Sequence, residues 1–85
     1  MRYRVLLRPA AVRDLERLEG DTKNRIEQAI ANLGENPRPR GAKKLAGFEN
    51  EWRLRVGRYR VLYLINDRET SLTVARVAHR REAYR

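Results

Sequence analysis

Residues 52–65 constrain the fold more than any other stretch of this chain. Trp52-Arg53-Leu54-Arg55-Val56 alternates apolar and cationic residues without a break, and Tyr59-Arg60-Val61-Leu62-Tyr63-Leu64-Ile65 follows after only Gly57-Arg58. A period of two marks a strand with one buried face, and a two-residue glycine-containing link between two such runs makes a hairpin. Trp52, Leu54 and Val56 therefore share one face, and Arg53 and Arg55 share the other. The second run is apolar on both faces, with Val61, Tyr63 and Ile65 opposing Leu62 and Leu64. Only Arg60 interrupts it, so it reads as a central strand.

The rest of the chain supplies what this hairpin packs against. Asn66-Asp67-Arg68-Glu69 reads as a turn, and residues 71–78, rich in Leu, Val and Thr, as a further strand. Residues 3–7 predict a first strand, which Pro9 ends while opening a helix over 9–18. Val12, Leu15 and Leu18 form its apolar side, and Arg13, Asp14, Glu16 and Arg17 its solvated side. Gly20 stops that helix. Asp21 or Thr22 caps a second one, in which Ile26, Ala29, Ile30 and Leu33 form a buried stripe and Gly34 and Asn36-Pro37 mark the end. Residues 37–47 read as a Pro/Gly/Lys/Arg loop. The expected architecture is one α+β domain over residues 1–85, in the order β-α-α-β-β-β with a short C-terminal segment. Its helix hairpin packs on one face of a small antiparallel sheet, leaving the arginines on the other face or at its edge.

Composition narrows the function. A chain of 85 residues holds one small core, and with no Cys and a single His it offers no disulfide and no Cys or His metal cluster. No metal or cofactor is expected. No apolar run approaches the ~18 residues of a membrane span, and the N-terminal apolar stretch is too short for a signal peptide, so a cytoplasmic protein without membrane contact is expected. The formal charge is +9 at pH 7 and is unevenly placed. Residues 1–37 carry seven Lys+Arg and six Asp+Glu, whereas residues 38–85 carry thirteen and five. A sheet can gather Arg53, Arg55, Arg60, Arg76, Arg80 and Arg81 onto one surface, which suits a polyanion. RNA is favoured over duplex DNA, because neither helix carries the basic stripe that would enter a major groove.

Three blocks bear a closer likeness. Lys44-Leu45-Ala46-Gly47, then residues 52–63, then Val77-Ala78-His79-Arg80-Arg81-Glu82-Ala83-Tyr84-Arg85 resemble the RelE toxins of the RelE/ParE superfamily from prokaryotic toxin-antitoxin systems. The resemblance implies an endoribonuclease that cuts mRNA in the ribosomal A site until a cognate acidic antitoxin wraps it in a hetero-oligomer. By the same resemblance Arg60 contacts the reacting phosphate, Arg80 is the arginine after the last strand, and Tyr84 is the C-terminal tyrosine that helps activate the nucleophile. Lys44 matches a basic residue of the preceding loop. Arg53 and Arg55 stand where the best-studied branch has lysines, and His79 also replaces a lysine. Arginine keeps its proton, so Arg53 and Arg55 are electrostatic groups and poor bases.

Metal-free RNA cleavage needs a base for the ribose 2′-OH, cations for the phosphorane, and an acid for the departing 5′-oxygen. Arg60, Arg80, Tyr84 and His79 are the catalytic candidates, and Lys44, Arg53, Arg55 and Arg81 the RNA-binding ones. Surrounding arginines favour the basic forms of both Tyr84 and His79. The acid is Arg80 or a group of the ribosome. Two other functions fit the same fold: a ParE-like poison of DNA gyrase without nuclease chemistry, and a non-catalytic RNA-binding module.

Overall fold

A computed structural model describes residues 2–45, 47 and 50–79. The elements are β1 (Arg4–Leu7), α1 (Pro9–Glu16), α2 (Gly20–Glu35), β2 (Ala42–Lys44), β3 (Glu51–Val56), β4 (Tyr59–Asn66) and β5 (Ser71–His79). They form one five-stranded sheet in the order β1-β5-β4-β3-β2. The expected hairpin is present, with Leu54 opposite Val61 and Val56 opposite Tyr59, and Gly57 takes φ +59° in its turn.

Two features of the sheet differ from the sequence reading. It is mixed, because β1 pairs parallel to β5, from Arg4↔Ser71 to Leu7↔Val74. It also has a strand within the expected 37–47 loop, since β2 lies antiparallel to the free edge of β3. Three residues with two lysines have no periodicity to betray a strand, and pairing with β3 creates this one.

One face of the sheet holds the core. Val61, Tyr63, Ile65, Leu72, Val74 and Val77 meet Ala11, Leu15, Leu18, Ile26, Ile30 and Leu33 in a single buried cluster, with Trp52, Leu54, Val56 and Tyr59 packed against it. Val74 and Val77 both reach it because a register shift at Leu62/Tyr63 leaves Ala75 unopposed, so the alternation of β5 changes phase there. The expected inward side of the first helix is borne out at Leu15 and Leu18, both in the core, but not at Val12. Val12 is 40% exposed, while Ala11, Asp14 and Leu15 are buried.

The helix ends also differ. α1 stops at Glu16, and α2 begins at Gly20 with Glu19 in the capping position and no side-chain cap. Asp21 instead lies in the first turn of α2, where its charge favours the helix dipole. Gly34 does not end α2. A Cβ there would stand 3.1 Å from the Tyr3 carbonyl and 3.2 Å from Val5 Cγ2, so its lack of a side chain lets α2 press onto β1. The Tyr3 N–H donates to the Gly34 carbonyl at 2.7 Å across this contact. No described helix is long and apolar enough to cross a membrane.

Candidate nucleic-acid interface

The face of the sheet turned away from the helices carries the cationic residues. Lys43 pairs with Arg53, and Arg53 with Leu62. One row along, Arg55 pairs with Arg60, which is itself opposite Ala78. Directly opposed side chains in an antiparallel sheet stand ~5 Å apart at Cβ, so strand pairing brings together cations that would separate in solution. Arg60 is only 5% exposed. Gly41, Lys43, Arg53, Arg55 and Arg60 line a concavity of about 370 Å³. Among the described residues its lining has four cations and no carboxylate, so an anion entering it meets fixed positive charge from three strands.

The segment that delivers Gly41 and Lys43 to this cleft is braced from the other face. Arg38 donates to Asp67 through Nη2 at 2.8 Å and Nη1 at 3.3 Å, and Tyr3 donates its hydroxyl to the same carboxylate. The Arg38 guanidinium also lies 5.2 Å from the centre of the Trp52 ring, a cation–π distance. Tyr63 donates to the Pro37 carbonyl at 2.7 Å. Burial pushes the Tyr63 hydroxyl up to about 12, so it stays protonated as a structural donor. The hydrogen bond from Arg38, joined by that from Tyr3, holds the Asp67 carboxyl below its ordinary value.

The expected site residues separate into groups. Arg53, Arg55 and Arg60 come together in the cleft. Lys44 pairs with Trp52 and so belongs to the helix-packing face; Lys43 takes the place in the cleft. Reading 42–44 as a strand against 52–54 would have selected Lys43 over its neighbour. His79 pairs with Tyr59, and their rings meet edge to face at 5.3 Å and 84°. This row is the helix-packing one, whereas Arg60 shares its row with Ala78. Arg80, Arg81 and Tyr84 lie outside the described residues. Arg76 is tied to the fold, donating to Asp14 at 2.7 and 3.2 Å.

The fold, two helices on a mixed five-stranded sheet, matches known proteins along nearly its whole length. Residues 5–84 fit the family model described as ParE toxin of type II toxin-antitoxin system, parDE. The chain belongs to the RelE/ParE toxin superfamily. Within it several relatives are named RelE toxins. Toxin RelE3 of Methanocaldococcus jannaschii is 31% identical over 85 residues, covering 95% of this chain and 94% of that protein. The RelBE2 toxin-antitoxin complex of Mycobacterium tuberculosis contains a chain that is 33% identical, with a TM-score of 0.78 over 94% of this chain and 100% of that one. The RelE-RelB complex of Pyrococcus horikoshii contains one at 28% identity and a TM-score of 0.83, covering 94% and 97%. This RelE-type toxin thus has the fold expected of its family.

Proposed function

We propose that this toxin is a ribosome-dependent endoribonuclease that cleaves mRNA in the A site and is silenced by a cognate acidic antitoxin. The observation that carries the reading is the cleft of Lys43, Arg53, Arg55 and Arg60, whose lining among the described residues has four cations and no carboxylate. A phosphodiester seated there has its charge balanced as the 2′-oxygen bonds to phosphorus and the bond to the 5′-oxygen breaks. Arg60, buried at the cleft floor, is suited to hold a non-bridging oxygen, because its guanidinium stays charged and its strand position is rigid. Arg53, Arg55 and Lys43 orient the strand. Tyr84 is the proposed acceptor of the 2′-OH proton, and Arg80 or a ribosomal group returns a proton to the 5′-oxygen. Arg81 is assigned to RNA binding. His79, on β5 with its ring against Tyr59, has a supporting part from the opposite face of the sheet.

The antitoxin assignment draws on relatives, since the Mycobacterium tuberculosis and Pyrococcus horikoshii proteins were each solved as toxin-antitoxin complexes. A chain of charge +9 is complemented by an acidic amphipathic partner. Both chains would act in the cytoplasm, where translating ribosomes are found.

The test mixes the toxin with programmed ribosomes and maps the 3′ ends of the mRNA. Cuts at the A-site codon are expected. The ParE name of the matching family model favours one other reading, poisoning of gyrase. Intact mRNA together with stalled gyrase-DNA adducts would decide for it, and intact mRNA with neither effect would leave a non-catalytic RNA-binding module.

A further inference from the structure

A second depression, of about 500 Å³, lies on the same helix-free face toward the other end of β4. Arg8 and Arg68 line it together with Leu64, Ser71 and Thr73. The register explains the grouping, since Leu64 pairs with Thr73 and Asn66 with Ser71. Arg8 joins them because its N–H donates to the Val74 carbonyl at 3.0 Å, continuing the β1 ladder one residue past Leu7. Leu64 follows Arg60 by four residues, ~13 Å along the strand at ~3.3 Å per residue. The two sites are therefore neighbours on one surface, with Leu62 between them.

The chemistry of this depression suits a nucleotide. Two guanidiniums can pair with phosphodiester oxygens, and the amides of Asn50 and Asn66, which also line it, can meet a base edge, Asn66 mainly as a donor because its Oδ1 already accepts the Glu69 N–H at 3.0 Å. Leu64 offers an apolar surface for the base plane. Glu51 pairs with Leu64 and repels a polyanion from the β3 side, which directs a bound strand along β4 and β5. The backbone supports a dedicated site as well. Among the described residues, Asn50 (φ 60°) and Thr70 (φ 51°) are the non-glycine positions in the left-handed region; Asn50 lines this depression, and Thr70 directly precedes Ser71, which does. For a β-branched threonine that conformation is strained, and strain of this kind gathers at functional sites. Thr70 is held there by its carbonyl, which accepts the Arg4 N–H at 2.9 Å, and by its own N–H, which donates to the Asp67 carbonyl at 3.2 Å.

We propose that this depression is a second nucleotide subsite. Arg8 and Arg68 hold phosphates of the RNA strand that passes through the cationic cleft, and Asn50 and Asn66 meet the base of a flanking nucleotide. The inference rests on the reading of that cleft as an RNA site, and the experiment separates the two. Full-length toxin is titrated into labelled single-stranded RNAs of about three and about twelve nucleotides, by fluorescence anisotropy over a series of salt concentrations. The longer RNA is expected to bind more tightly and with a steeper salt slope. Arg8→Ala/Arg68→Ala should leave the short RNA unaffected and bring the long one down to its level, flattening the slope by about 1.4, or ~0.7 for each lost phosphate contact. Arg8→Lys/Arg68→Lys should restore most of the difference. Arg53→Ala/Arg55→Ala should weaken both RNAs.

If Arg8→Ala/Arg68→Ala binds the long RNA as the wild type does while Arg53→Ala/Arg55→Ala weakens both, the subsite is wrong and the cleft stands. Equal weakening of both RNAs by Arg8→Ala/Arg68→Ala also overturns it, as the arginines then act only through net charge. Should Arg53→Ala/Arg55→Ala change neither RNA, the cleft reading fails and the subsite falls with it. Matching thermal melts establish that each variant is folded.

Discussion

The carboxylate of Asp14 completes the edge of β5 by accepting the N–H of Val77 at 2.9 Å. β1 pairs with β5 only as far as Val74, where Arg8 and Pro9 turn the chain into α1. Beyond that point α1 packs along β5 and a side chain does what a strand would otherwise do. Burial raises the Asp14 carboxyl, but the bonds from Arg76 and from Val77 outweigh it and hold the group below its ordinary value of 3.8.

Replacing Asp14 should therefore destabilise the fold. Asp14→Ala leaves a buried N–H without its acceptor, a loss of ~2 kcal/mol; the half-exposed Arg76 adds little. For a domain of this size that is a fall in Tm of ~8–16 °C. Asp14→Asn, which keeps an oxygen acceptor, should lose less. Thermal melts followed by circular dichroism measure both, and an unchanged Tm for Asp14→Ala would refute the edge role.

The pH dependence has a definite sign. Asp14 and Asp67 are both depressed below 3.8 in the folded protein. Their stabilisation is fully present above that value and is lost as pH falls through the lower folded-state values. Urea midpoints should thus fall in acid below about pH 3.8. Asp14→Asn, though weaker at neutral pH, should show a shallower decline.

Lys43 and Lys44 give a test of register. Lys43→Ala should weaken RNA binding and reduce the salt slope by about 0.7, one phosphate contact. Lys44→Ala, on the Trp52 side of the sheet, should leave the slope unchanged. Equal effects from the two lysines would mean that general charge, not the cleft, holds RNA.

Arg60→Ala should abolish growth arrest on expression and mRNA cleavage in the ribosome assay, while circular dichroism still reports a folded domain. Arg60→Lys should recover only part of the activity, because an ammonium lacks the planar fork that grips two oxygens. Full toxicity from folded Arg60→Ala would remove Arg60 from the site.

Arg38 is expected to act on RNA without touching it. Arg38→Ala and Asp67→Asn each break the brace on the segment before β2, so both should lower RNA affinity by loosening Gly41 and Lys43. Their Tm should change little, since this exposed pair contributes little stability. Wild-type affinity in both variants would show that β2 alone holds the segment.

What the sequence reveals and what it hides follow from how local each cause is. The strict alternation of residues 52–56 and the glycine at 57 are local, and from them Arg53, Arg55 and Arg60 could be placed off the helix-packing face or at its edge. β2 is not local: Ala42, Lys43 and Lys44 are extended because β3 has a free edge, so nothing in the sequence corrected the choice of Lys44, made on the resemblance, to Lys43. Asp14 misleads for a related reason. An acidic residue in an amphipathic helix reads as solvated, and only its distant partners at positions 76 and 77 turn it inward. Gly34 resembled a helix stop, although its actual constraint is the backbone of β1.

The parallel pairing of Arg4 with Ser71 also sets an order in time. At ~5–20 residues per second of synthesis, β1 waits on the order of several seconds before its only sheet neighbour has been made. The wait is longer than most folding steps, and a sheet closed by such distant contacts is slow to form. The strands bearing Arg53, Arg55 and Arg60 are already synthesised by then, but β4 lacks one of its two neighbours until β5 arrives. The cationic surface is thus one of the last parts of the sheet to be completed during synthesis.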